Sequence, residues 1–187
     1  MDAITILRED HKTVRGLFKR FEQAGATAYK SKRDVVDRII EELSVHSAIE
    51  EQVFYPAVRS AIEQAEEEVL ESLEEHHIVK WTLSELAEMD PEDERFEPKV
   101  TVLIENVRHH MKEEEDEMFP KVRKAYGATQ LKELGHEMSE AKEVAPTRPH
   151  PRSPDTPPLN LIAGPVAAVL DAGKDAVAKI RGRKRAR

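Results

Sequence analysis

Apolar residues recur at spacings of three and four along four long stretches of the chain, the period of helices that each bury one face. The first stretch runs from about Ile4 to Gln23, with Ile4, Leu7, His11, Val14, Phe18 and Phe21 in line, and Gly25 closes it. The second opens near Ser31, the expected N-cap, and carries Val35, Val36, Ile39, Leu43, His46, Glu50 and Val53. The third spans about Glu66 to Met89 through Val69, Leu73, His76, Val79, Leu83 and Leu86, and Asp90-Pro91 stops it. The fourth starts around Pro98, a residue suited to a first helical turn. It shows Val100, Leu103, Ile104, Val107, His110, Glu114 and Met118 and ends near Tyr126-Gly127. A short fifth pattern, about Thr129 to Val144, is expected to pack across the end. The pattern predicts an all-α chain, a four-helix bundle with a short fifth helix.

The stretches repeat. His46, Glu50, Glu51, Tyr55 and Pro56 are matched by His110, Glu114, Glu115, Phe119 and Pro120 at an offset of 64. Asp10, His11 and Val14 are matched by Glu75, His76 and Val79 at an offset of 65. Two helical hairpins related by a pseudo-two-fold axis account for both offsets.

Composition narrows the chemistry. The chain has 187 residues and no Cys, which excludes disulfides, thiolate zinc sites, Fe–S clusters and cysteine nucleophiles. Any metal is left to His and carboxylates. Charge divides the chain. Residues 1–145 hold 20 Lys and Arg against 34 Asp and Glu, a net of −14, whereas residues 146–187 hold 9 against 3, a net of +6. An acidic body repels phosphate, so nucleic acid is not expected to bind through the bundle. The predicted organisation is a bundle over 1–145, a Pro-rich linker over 146–158, and a tail over 159–187 that is mostly disordered. Within the tail, Leu159 to Ile180 could form an amphipathic helix ahead of a basic run to Arg187. That tail suits contact with nucleic acid, an anionic membrane or a protein partner, or it is a solvated extension resting on the acidic bundle. With no membrane-length apolar run and no signal-peptide pattern at Met1–Thr5, a cytoplasmic location is expected. The polar bundle faces allow a monomer or a homodimer.

His and Glu at i and i+4 share one helix face, so one metal ion can lie between them. Glu50 falls in line with Ile39, Leu43 and Val53, and Glu114 with Ile104, Val107 and Met118. Burying an ionised carboxylate costs several kcal/mol, on the order of a lost ion pair, unless a cation compensates it. No Lys or Arg lies on those stripes at the same level, so a metal is the expected cation. His11 and His76 lie on core stripes as well. His76 is preferred to His77, and His110 to His109, because in each case the first continues the apolar stripe. The expected ligands are therefore His11, His46, Glu50, His76, His110 and Glu114. Tyr55, His77, Glu51 and Glu115 are held as supporting or alternate groups, and Trp81 as a packing residue. N/O ligation with two carboxylates suits a pair of iron ions ahead of manganese or zinc.

With these motifs in place, residues 1–145 resemble the hemerythrin-like (HHE cation-binding) family. The resemblance rests on Leu7 to His11, His46-x3-Glu50-Glu51, Glu75-His76-His77 and His110-x3-Glu114-Glu115. It implies an up-down-up-down bundle with a di-iron centre, oxo- or hydroxo-bridged, in which the two glutamates also bridge. The implied ligand is a small oxidant: hydrogen peroxide, O2 or nitric oxide. O2-carrying hemerythrins supply a further His four residues from the third-helix His, where this chain has Ser72 and Lys80. A four-His site is more open, which favours reaction with small oxidants over O2 storage. No residue beyond the metal ligands stands out as catalytic. A peroxide-consuming (catalase-like) or nitric-oxide-related enzyme in stress handling is one expectation. An O2, redox or iron sensor, or an iron-binding protein without turnover, is the other.

Overall fold

The computed structural model describes residues 1–153 together with Val169 and Asp171. Most of the expected amphipathic segment and all of the basic run lie outside the described residues. The described chain is all α-helical: α1 (Ala3–Glu22), α2 (Tyr29–Ile49), α3 (Tyr55–Ala61), α4 (Glu66–Glu88), α5 (Phe96–Glu113), α6 (Phe119–Ala125) and α7 (Ala128–Glu143). Among the described residues, no helix is long and apolar enough to cross a membrane.

Helices α1, α2, α4 and α5 form the bundle, with α1 against α2, α4 against α5, and α2 against α4 across the middle. Asp2 caps α1 by accepting the Thr5 N–H at 2.9 Å. Helix α2 departs from expectation at its start. It begins at Tyr29 after Ala28, without a side-chain cap, so Ser31 is not the N-cap. The buried Lys32 does the anchoring instead, reaching Glu97 at the start of α5 and the Ala26 carbonyl.

The larger departure is inside the second and fourth stretches. Each breaks after the repeated Glu into a π turn, Glu50–Phe54 and Glu114–Met118, before a short helix resumes. The Tyr55 N–H bonds to the Glu50 carbonyl and the Phe119 N–H to the Glu114 carbonyl, each five residues back. The cause is Pro56 and Pro120, one residue further on. A proline has no N–H to give, and its ring would strike the carbonyl four residues back in an α-helix. Widening the preceding turn avoids that clash and makes each proline an early residue of α3 or α6.

The core has two apolar layers. Val14, Phe18, Ile39, Leu83, Phe96 and Val107 belong to one, and Ile4, Leu7, Phe54, Val69, Phe119 and Val122 to the other. Positions 11, 46, 76 and 114 each fall between a residue of one layer and a residue of the other, and 50 and 110 lie beside that boundary. Helix α7 runs beside α1 and α2 rather than across the end of the bundle. Gly135 meets the backbone of Met1–Ala3, and Lys142 reaches Asp10. After α7 the chain turns back over α4, where the Arg152 guanidinium sits 5.8 Å from the Trp81 ring. Asp171 is buried and accepts the Arg148 backbone N–H at 3.1 Å.

Candidate metal centre

All six expected ligand residues are buried, and the fold brings them together. Helix α1 places His11, α2 places His46, α4 places His76 and α5 places His110, while each Glu opens a π turn. The rings pair edge to face across each hairpin, His11 with His46 at 4.9 Å and His76 with His110 at 4.8 Å between centroids. Each carboxylate then joins the two pairs. Glu50 Oε2 lies 3.2 Å from His46 Nε2 and 3.4 Å from His76 Nε2. Glu114 Oε2 lies 3.2 Å from His11 Nε2 and 3.5 Å from His110 Nε2. Two ligand-rich groupings result, one of His11, His46, Glu50 and Glu114 and one of Glu50, His76 and His110, with Glu50 common to both.

The orientation of the imidazoles has a readable cause. His11 Nδ1 meets Glu115 at 2.7 Å, His76 Nδ1 meets Glu51 at 2.9 Å, and His110 Nδ1 meets Glu75 at 2.7 Å. An ionised carboxylate only accepts, so each of these Nδ1 atoms carries a proton and each Nε2 points inward, where those of His76 and His110 meet at 3.1 Å. His46 Nδ1 faces Asp10 at the longer distance of 3.7 Å. These outer carboxylates form a ring around the bundle. The acidic residue beside one of these residues faces the histidine of a neighbouring helix: Asp10 for His46, Glu51 for His76, Glu75 for His110 and Glu115 for His11. Three of the four are tied down in turn, Glu115 by Arg15 at 2.8 Å, Glu51 by Lys80 at 2.6 Å and Asp10 by Lys142.

The donor set fits a metal on the structure's own terms. His11 Nε2, His46 Nε2, both Glu50 oxygens and Glu114 Oε2 are buried without a hydrogen-bond partner. Such atoms each cost about 1–3 kcal/mol when left unsatisfied, and here they converge on one space. An N/O set of this kind suits first-row divalent ions.

Electrostatics point the same way. Burial pushes the Glu50 carboxyl well up, helped by the charge of Glu114. Burial also works against ionisation of Glu114, but the facing His110, His11 and His46 rings outweigh it and hold that carboxyl below the usual range. The two carboxylates are thus pushed in opposite directions, and a cation between them would favour the ionised form of both. Burial pushes His46 down to about 4, so its ring stays neutral and ready to ligate in moderate acid.

The remaining expected groups separate clearly. Tyr55 does reach the site. Its hydroxyl donates to Glu114 Oε1 at 3.0 Å and lies 3.3 Å from His76 Nε2, and burial pushes its pKa well up. Phe119, its repeat mate, stacks on His11 at 5.8 Å, so a single hydroxyl breaks the pseudo-symmetry. Glu51 and Glu115 support imidazoles instead of facing the centre. His77 is exposed and accepts from the Trp81 indole N–H at 2.9 Å, outside the site. Trp81 is itself 41% exposed, so it is a surface residue and not a packing one. His109 lies outside the centre beside Glu113. Sequence reasoning missed Asp10 and Glu75, although both repeats carry an acidic residue directly before the His. It also missed Arg15, Lys80 and Lys142.

Comparison with known proteins finds relatives in sequence and in fold. A 172-residue segment is 27% identical to an uncharacterized hemerythrin-like protein of Schizosaccharomyces pombe, covering 91% of this chain and 84% of that one. A Nostoc protein described as a DNA nickase is 27% identical over 142 residues, 76% of this chain but 39% of that protein. The crystal structure of a hemerythrin HHE cation binding domain-containing protein from Mycobacterium kansasii superposes with a TM-score of 0.66 at 26% identity, covering 76% of this chain and 86% of that one. The model of the hemerythrin HHE cation binding domain matches residues 2–122, the span that carries His11, His46, Glu50, His76, His110 and Glu114, and the chain is therefore a member of that family.

Proposed function

We propose that the chain holds two metal ions, iron foremost, between His11, His46, His76 and His110 with Glu50 and Glu114 bridging. We propose further that it binds or turns over a small oxidant (hydrogen peroxide, O2 or nitric oxide) in handling oxidative or nitrosative stress. The observation that carries this reading is the position of each glutamate oxygen between one imidazole of each hairpin. Iron bound there would supply Lewis acidity and redox change. The chain's own part is to hold the donors. The Nδ1–carboxylate contacts orient the rings, the π turns bring the glutamates inward, and the two apolar layers limit water. Tyr55 keeps its proton and can donate within the site.

The test is metal content and the visible spectrum of aerobically purified protein, followed by hydrogen peroxide with oxygen evolution recorded. Two irons per chain, ferric absorption, and release of one O2 and two waters for every two peroxides are expected. A His46→Ala/His110→Ala variant that keeps full metal content would overturn the ligand set. One observation favours the alternative of an O2, redox or iron sensor, or an iron-binding protein without turnover. The Tyr55 hydroxyl reaches into the site, and its raised pKa unfits it as a base. Two irons without oxygen evolution would select that alternative.

A further inference from the structure

The ring of outer carboxylates is incomplete at one place. Arg15 lies four residues after His11 and supports Glu115, and Lys80 lies four residues after His76 and supports Glu51, so these two positions obey the pseudo-two-fold. The other pair does not. Asp10 receives its cation, Lys142, from α7, and α7 packs against the α1–α2 side of the bundle. Glu75 is the counterpart of Asp10 on the α4–α5 side. Among the described residues no lysine or arginine pairs with it, and its recorded partner is His110 Nδ1 at 2.7 Å.

What stands beside Glu75 is a set of metal-ligating groups. His109 Nε2 lies 3.1 Å from Glu113 Oε1 one turn along α5, and one ligand atom from each of Glu75, His109 and Glu113 falls within 4.8 Å of the others. The repeat mates of His109 and Glu113, at the offset of 64, are Val45 and Ile49. Ile49 is buried in the core cluster that includes α7, so α7 covers on one side what the other side leaves to solvent. The surroundings add negative charge, since residues 113–117 are all acidic.

We propose that Glu75, His109 and Glu113 form a third, surface cation site, distinct from the buried centre, that takes a borderline divalent ion such as Zn2+ or Fe2+. The ion stands where Lys142 stands on the opposite side. One imidazole and two carboxylates, with water completing the shell, are the donors such ions prefer. Glu75 is shared, with one side on the ion and Oε2 on His110, so the surface site touches the support of a buried imidazole.

The experiment is equilibrium binding of Zn2+ to the full chain, comparing wild type with His109→Ala/Glu113→Gln. His109 is exposed and Glu113 half-buried at the surface, so the fold is expected to persist. Wild type should hold one more Zn2+ per chain than the variant, and excess Mg2+ should leave that difference intact. Equal counts would overturn the site. So would a difference that Mg2+ abolishes, since that marks an acidic patch screening any cation. A second comparison separates this inference from the reading of the buried centre. In a His46→Ala/Glu50→Gln background the total count falls if those residues are ligands, while the difference of one ion remains. If the total does not fall but the difference stands, the buried assignment fails and the surface site holds.

Discussion

At the scale of single residues, the outer carboxylates are the part of the site most open to test. Glu115 and Glu51 each accept from an imidazole and from a basic side chain. Replacing Glu115 with Gln keeps the shape but removes the charge that favours the inward Nε2 lone pair of His11. Loss of such support weakens metal binding by roughly 10–100-fold. A competitive chelator titration should show this for Glu115→Gln, and unchanged affinity would mean that the contact does not matter to the centre. His46 gives a pH prediction for the metal-free protein. Its folded pKa, about 4, lies below the reference 6.5, so its contribution is fully present above about 6.5 and is lost as pH falls through about 4. The loss is on the order of 3 kcal/mol. Glu50, pushed up by burial, has the opposite slope and is common to wild type and variant. Denaturant melts of metal-free wild type and His46→Gln should therefore diverge across that window, with the variant less acid-sensitive. Parallel curves would contradict the depressed His46.

At the scale of elements, the π turns and α7 decide how the site is built. Each π turn lets a helix that carries His and Glu at i and i+4 pass a proline six residues after the Glu without clash. The sequence pattern contained Pro56 and Pro120, but periodicity averages over a turn and hides one inserted residue, so the stretches read as continuous helices. Helix α7 rests on a close approach. A Cβ added at Gly135 would meet the Met1 carbonyl oxygen at 2.4 Å and the Ala3 nitrogen at 2.8 Å. Backbone cannot yield as a flexible side chain does, so Gly135→Ala is expected to destabilise the protein by about 1–3 kcal/mol. Thermal melts would check this, and an unchanged Tm would place α7 elsewhere. Because Lys142 holds Asp10, the same variant should disturb support of His46 as well.

At the scale of the whole molecule, the metal-binding unit is expected to end near residue 145. A chain truncated after Ala145 keeps all six ligand-type residues, all four outer carboxylates and α7. Its metal content should equal that of the full chain when both are measured on the same preparation scale. A sharp loss would mean that residues 146–187 support the bundle. The contacts of Arg152 with Trp81 and of Asp171 with residues 148 and 150 give such support a physical route. The −14 charge of the body and the +6 of the remainder make that association sensitive to salt.

The helices, the repeat and the burial of His11, His46, Glu50, His76, His110 and Glu114 were legible because they are local facts. A period of 3.6 and an i, i+4 spacing relate residues on the same turn or the next, and the repeat states them twice. The preference for His76 over His77 and for His110 over His109 followed from the same stripes. What the sequence by itself could not decide is which groups meet across helices. That Asp10 faces His46 and Glu75 faces His110 depends on the spacing and register of neighbouring helices, and Trp81 turned out to face solvent for the same reason. The closing of one side by α7 while Glu75 stays open is likewise a matter of docking. Those distances exist only once the helices have packed, because no local pattern carries the position of a partner a hundred residues away.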